Sequence, residues 1–318
     1  MTLLTMKFGV LGGACLLVSA LAPTVAWAQD SSATIPETTV EDIVVLGMPL
    51  REQVETFVDD VTAPATGWGP ARWDERSGIC VGVVNLRPDA AQAMADRVSE
   101  VALDLGLTVG EPGCSPNILV IATDDAPALA TALVQQSPNA FRPRYSGAAR
   151  RPSALRAFQS SDSPVRWWHV SMPIIRETGQ PAVRLPGGDA PWIPSWGSRL
   201  TSPITSKLLR AYVIIDIDQA EGLSFSQLAD YVAMVAFAQI DPDADVSGFP
   251  TILNVFDNPT IAFGMTDWDE AYLGSLYGAE MNQRNPNAQS GAVAALMFRD
   301  RQRVAGDDEV ELEDADAE

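Results

Sequence analysis

The stretch from Leu228 to Gln239 constrains this chain more than any other part of it. Ala229, Val232, Ala233, Val235, Ala236, Phe237 and Ala238 leave it almost without a polar face, and a helix that is apolar all round has to be enclosed on every side. Ser224 and Gln227 stand in capping-box spacing just ahead of it and set its start. Enclosing such a helix takes layers of other elements, and the chain offers them. Ile79–Leu86 reads as a strand, and Pro88 and Asp89 open a helix whose Ala91, Met94, Val98, Val101 and Leu105 recur at helical spacing until Gly106 and Gly110 close it. Asn117–Thr123 reads as a second strand, Asp125–Val134 as a helix, and Val165–Met172 and Tyr212–Asp216 as further strands. This order predicts an α/β (α+β) fold over residues 71–300. Its N-terminal half is strand, helix, strand with a right-handed crossover, and one globular domain surrounds a buried helix at about 224–240.

The ends of the chain read differently. Lys7, an apolar run from Phe8 to Ala22, and Ala26-Trp27-Ala28 with small residues at −3 and −1 form an export signal over 1–28, with cleavage expected after Ala28. The run is interrupted by Gly12 and Gly13, stops at Pro23 and is too short to span a bilayer, as is every later segment. A periplasmic or secreted protein, not an integral membrane one, is therefore expected. There Cys80 and Cys114, the cysteines beyond the leader, can oxidise. Each stands at or just before a strand, so a disulfide is expected if those strands are parallel neighbours. Residues 29–70, rich in Thr, Pro, Ser and acids, read as an extended, partly disordered segment. Residues 301–318, mostly acidic from Asp307 on, read as a disordered tail. With 41 acidic residues against 21 basic ones, a net charge of −20, the chain is no nucleic-acid binder, because phosphate backbones need clustered Lys and Arg.

The segment after the apolar helix resembles the active-site half of a zinc metallopeptidase of the zincin, metzincin-like type. Pro250-Thr251-Ile252-Leu253-Asn254 is similar to the turn beneath the metal in that family, with Leu253 where a methionine stands. Gly264–Asp269 and Leu273–Gly278 are similar to the helical segment that closes such domains. The resemblance implies a zincin-like mixed, twisted sheet, and makes the apolar helix the former active-site helix. Asp230 and Met234 would then occupy the first two ligand positions, Tyr231 the catalytic glutamate position and Ile240 the third ligand position. None of these is histidine, and the one histidine, His169, lies elsewhere. A zinc peptidase needs two imidazoles on one helix face and a carboxylate beside them. Asp230 and Met234 are a mismatched hard and soft pair, and the Tyr231 phenol is a poor base at neutral pH. The resemblance thus implies a scaffold without metal, cofactor or peptidase chemistry: a pseudo-peptidase that binds a peptide or protein partner in the envelope through the old substrate cleft.

Other residues offer alternatives. His169, between Trp167 and Ser171 on one face of its strand, is the base available to a metal-independent hydrolase. Asp216 and Asp218 resemble the first motif of haloacid-dehalogenase-type phosphatases, though Gln219 and Ala220 replace the usual glycine and threonine. A weakly metal-dependent hydrolase is the corresponding reading. Asp241, Asp243, Asp245 and Ser247 have calcium-loop spacing, yet Val246 replaces the turn glycine and Ile252 the bidentate glutamate. Glu41–Gly47 resembles a stretch near the start of outer-membrane TonB-dependent receptors, which implies an accessory or structural role beside such a system. Candidate binding residues are Trp167, Trp192 and Trp196, with Arg142 and Arg144 from the one basic stretch, which also holds Arg150, Arg151 and Arg156. Those arginines either bind an anion or pair with acids of the same chain.

Overall fold

The computed structural model describes residues 48–194 and 198–315. The export signal, Glu41–Gly47 and Trp196 lie outside the described residues. The first element is already a departure from expectation. Where residues 29–70 read as extended, Leu50–Val61 is a helix, α1, and its Val54, Phe57, Val58 and Val61 are fully buried. Those four residues recur at i, i+3, i+4 and i+7, an apolar stripe that outweighs the polar composition around it. Among the described residues the globular body therefore includes α1, ahead of Ala71.

Strand β1 (Val81–Val84), helix α2 (Pro88–Asp104) and strand β2 (Ile118–Thr123) form the expected strand, helix, strand unit, with β1 and β2 parallel. Helices α3 (Ala126–Gln136), α4 (Pro138–Phe141) and α5 (Pro152–Ser160) follow, α3 being capped by Asp125, which accepts the Ala128 N–H at 2.9 Å. Strands β3 (Val165–Ile175) and β4 (Ile204–Asp216) run antiparallel to each other. Both are longer than read from sequence. The sheet is mixed, in the order β1-β2-β4-β3, with β4 parallel to β2 and β3 at the edge. Helix α6 (Phe225–Phe237) is the buried apolar helix, started by the expected capping box of Ser224 and Gln227. Helices α7 (Asp267–Gly278) and α8 (Pro286–Ala315) complete the chain. The backbone of α8 runs through the region expected to be a disordered tail, up to Ala315. Residues 301–315 contain no proline, and their Arg, Glu, Ala and Leu residues sustain a helix once one has begun, against the poorer propensity of Gly306 and the aspartates.

Two cores sit on the two faces of the sheet. The larger packs α1, α2, α6 and α7 against Val120, Val165, Trp167, Val213 and Ile215; the smaller packs α3, α4 and α5 against Trp168, Val170 and Ile214. This is the alternation of a strand buried on both faces. Phe57 of α1 meets Phe249, Trp268 and Tyr272 edge-on, with ring centroids 5.1 to 5.6 Å apart. Arg72 closes the C-terminal end of α7, its Nη1 donating to the carbonyls of Leu276, Tyr277 and Ala279. Cys80 and Cys114 form the expected disulfide between the entrances of β1 and β2, with a Cα–Cα distance of 6.0 Å. Among the described residues, no helix is long and apolar enough to cross a membrane.

Candidate functional site

A helix ends with four carbonyls that have no partner inside it, and in the interior each needs a donor. In α6 all four are met. The Met234 carbonyl takes the Ala238 N–H at 3.2 Å. The Val235 carbonyl takes His169 Nε2 at 2.8 Å, that of Ala236 takes Trp73 Nε1 at 3.0 Å, and that of Phe237 takes the Tyr277 hydroxyl at 3.0 Å. Just beyond the helix, Trp167 Nε1 donates to the Ile240 carbonyl at 2.9 Å. A carbonyl only accepts, so the proton of His169 sits on Nε2. Burial pulls the imidazole down to about 4; the Val235 carbonyl opposes this and Arg150 adds to it. His169 is thus a neutral capping group at neutral pH. Asp216 lies five positions from Ala211, the strand partner of His169, about 17 Å along β4 at the usual strand rise. It is buried and bound to Gln219, while Asp218 is exposed. The structure does not bring His169 and these aspartates together.

The four positions assigned to a former zinc box are spread out too. Asp230 points to α2, where its Oδ1 takes Arg97 Nε at 2.5 Å, and its Oδ2 takes the Met265 N–H at 2.8 Å. Tyr231 points to β3 instead, edge-on to Trp167 with centroids 6.1 Å apart, and burial pushes its hydroxyl above the usual tyrosine range. Met234 is fully buried in the core, and Ile240 is buried beside Trp167. Among the described residues no three His, Cys, Asp or Glu side chains cluster as metal ligands would. In the calcium-like loop, Asp241 pairs with Arg150 at 3.0 Å and Asp245 is bound by Ser247.

What does gather at one place is a small cavity beside the outer edge of β3, where Val165–His169 are all buried. The Asp216 N–H reaches the Pro164 carbonyl at 2.8 Å, so by alternation residues 166, 168 and 170 bond toward β4 while the main-chain groups of Val165, Trp167 and His169 face outward. Further along, the same edge is covered: Ser171 N–H reaches the Ala148 carbonyl and Ala182 N–H the Pro173 carbonyl, both at 2.8 Å. Between 165 and 169 the edge opens instead on this cavity of about 70 Å³, walled by Ala154, Ala157 and Phe158 of α5 on one side and by Gln239, Ile240 and Asp243 on the other. The Arg150–Asp241 ion pair joins the two walls.

Of the expected binding residues, Trp167 lines this cavity, whereas Trp192 is 79% exposed on the irregular segment before β4. Arg142 and Arg144 are exposed on the segment between α4 and α5. Arg150 alone of that basic stretch forms an ion pair among the described residues.

Sequence reading missed Arg166. It is only 3% exposed and lines the cavity; its Nη1 and Nη2 make long bonds to the Phe158 and Ser163 carbonyls at 3.3 and 3.5 Å, and its buried Nε has no partner among the described residues. Burial lowers the guanidinium, and Asp216, Asp162 and Asp125 oppose this through space. A charged residue amid Val165, Trp167 and Trp168 on a buried strand was the available signal. No protein-family model, curated protein or solved structure matches this chain.

Proposed function

We propose that this chain is an exported, non-catalytic protein on a zincin-like, pseudo-peptidase scaffold, and that it holds an extended peptide, or an extended segment of a protein partner, along the outer edge of β3 in the envelope. The observation that carries the reading is the outward row of main-chain groups at Val165, Trp167 and His169 beside a cavity. Since Val165–His169 are each at most 9% exposed and the cavity holds about 70 Å³, pairing along the edge requires the α5 wall to move aside and the Arg150–Asp241 pair to part. An open sheet edge recognises an extended segment through backbone hydrogen bonds, and pockets beside it select side chains. The order of elements supports the scaffold. A parallel strand, helix, strand unit leads to a mixed sheet, then a buried helix, the turn at Ile252–Asn254 and a closing helix. The non-catalytic half of the reading is supported by occupation: Asp230 is taken by Arg97 and Met265, and His169 spends its one proton on a helix carbonyl.

The test is to pan the mature chain against random dodecapeptides and to N-methylate the main chain of a selected peptide one position at a time. Loss of binding at every second position is expected of a peptide paired as a strand. Failure of any peptide to enrich, or a methylation profile without that period, overturns the reading. Cleavage of a peptide library by the purified chain would overturn its non-catalytic part.

A further inference from the structure

The guanidinium of Arg166 is an incomplete ion pair. An arginine offers five N–H donors, and this one places them in a buried site where only two long bonds to carbonyls are made and Nε makes none. Burying a charge without a close, hydrogen-bonded counter-ion is costly. No carboxylate lies within ion-pair distance of Arg166 among the described residues, although Asp216, Asp162 and Asp125 act on it from further away and the Phe158 carbonyl, near the end of α5, adds partial negative charge. The side chain lines the cavity beside β3, together with Ser161 and Ser163, whose hydroxyls are 2.6 Å apart, and the apolar Phe158 and Trp168. The cavity of about 70 Å³ is several times the roughly 10–15 Å³ that one water needs, enough for a carboxylate group.

We infer that the cavity is a carboxylate-binding pocket in which Arg166 is the recognising group, so that the segment held along β3 carries an acidic side chain or its own free C-terminus into it. The second clause rests on the reading given under Proposed function; the first stands without it. Planar guanidinium donors match a carboxylate in geometry, and charge-assisted hydrogen bonds are the stronger kind. Asp243 on the opposite wall and the three acids behind Arg166 oppose an anion, so the free carboxylate is expected to bind weakly and to gain affinity only when a peptide is tethered to it.

Sodium propionate and the uncharged propionamide are titrated separately into the wild-type chain, reading the Nε–H resonance of Arg166 by NMR and the tryptophan fluorescence. Propionate is expected to move the Arg166 resonance in a saturable way, and propionamide at least about tenfold more weakly, as expected when a charge-assisted bond is lost. Absence of a saturable propionate response overturns the pocket. Arg166→Gln is expected to abolish the fluorescence response and Arg166→Lys to weaken it; the wild-type comparison of acid with amide stands even where a variant fails to fold.

Peptides that bind the chain are then compared with a free or amidated C-terminus and with each Glu replaced by Gln. Loss on amidation assigns the C-terminal carboxylate and loss at one Glu assigns a side chain, while indifference to both overturns the link to the peptide. A propionate response with no peptide bound would leave the pocket standing and sink the peptide reading instead.

Discussion

His169 donates from Nε2 to the Val235 carbonyl at 2.8 Å, from the edge strand β3 to the last turn of α6. The bond occupies the proton of the only imidazole in the chain and leaves it neutral, with burial holding it near 4. Its folded value lies below the unfolded value of about 6.5. The unfolded chain therefore binds the proton first as pH falls, so stability from this group is complete above about 6.5 and is lost between there and about 4. The loss is expected to be on the order of 3 kcal/mol. Urea unfolding of the wild type and of His169→Gln at pH 7.5, 5.5 and 4.5 checks it: the wild type should lose more stability than the variant, whose amide keeps a donor and does not titrate.

Asp230 joins α6 to α2 through Arg97 and to the approach of α7 through Met265 N–H. Its side chain is 4% exposed and that of Arg97 32%. Removing Arg97 leaves the buried carboxylate with only the Met265 N–H, whereas removing Asp230 leaves that amide unpaired but Arg97 still held by Glu100 at 2.6 Å, so Arg97→Ala should cost about 2–3 kcal/mol and Asp230→Ala about 1–2 kcal/mol. A double-mutant cycle by chemical denaturation, with the double variant costing less than the sum, confirms the coupling.

Gln227 does more than cap. Its Oε1 takes the Ser224 N–H at 2.9 Å, and its Nε2 donates to the carbonyls of Pro259 and Ala262, both at 2.7 Å. Gln227→Ala should cost about 2 kcal/mol, more than Ser224→Ala at about 1 kcal/mol, because two carbonyls lose their donor as well as the cap. Thermal unfolding of the two variants side by side gives the ranking.

The disulfide closes a loop of sequence separation 34. Replacing both cysteines by serine should cost about 3–4 kcal/mol on the chain-entropy argument. Denaturation of the variant, and of the wild type with and without reductant, should place reduced wild type and variant together.

The helices whose pattern was strong were legible in the sequence. The capping box of Ser224 and Gln227, the stripe of α2 and the Asp125 cap all act within a few residues, so local chemistry is enough to find them. The stripe of α1 was equally regular, but its Thr- and Pro-rich neighbours hid it. Helix α5 was lost among arginines, although Ala154, Ala157 and Phe158 recur at helical spacing. The site was less legible because it depends on partners far apart in the chain. Nothing near His169 in sequence says that its proton goes to Val235, and nothing near Arg166 says that its Nε has no acceptor. The register that put Asp230 at a ligand position could not foresee Arg97, which lies on another helix.

The three rings around Phe57 come from the last quarter of the chain, and Phe57 itself comes from the first helix described. A nascent chain therefore carries α1 with its apolar stripe uncovered until nearly everything after it has been made. Folding of this domain is an event of the finished polypeptide: any truncation before Phe249 leaves α1 as a sticky, protease-sensitive arm.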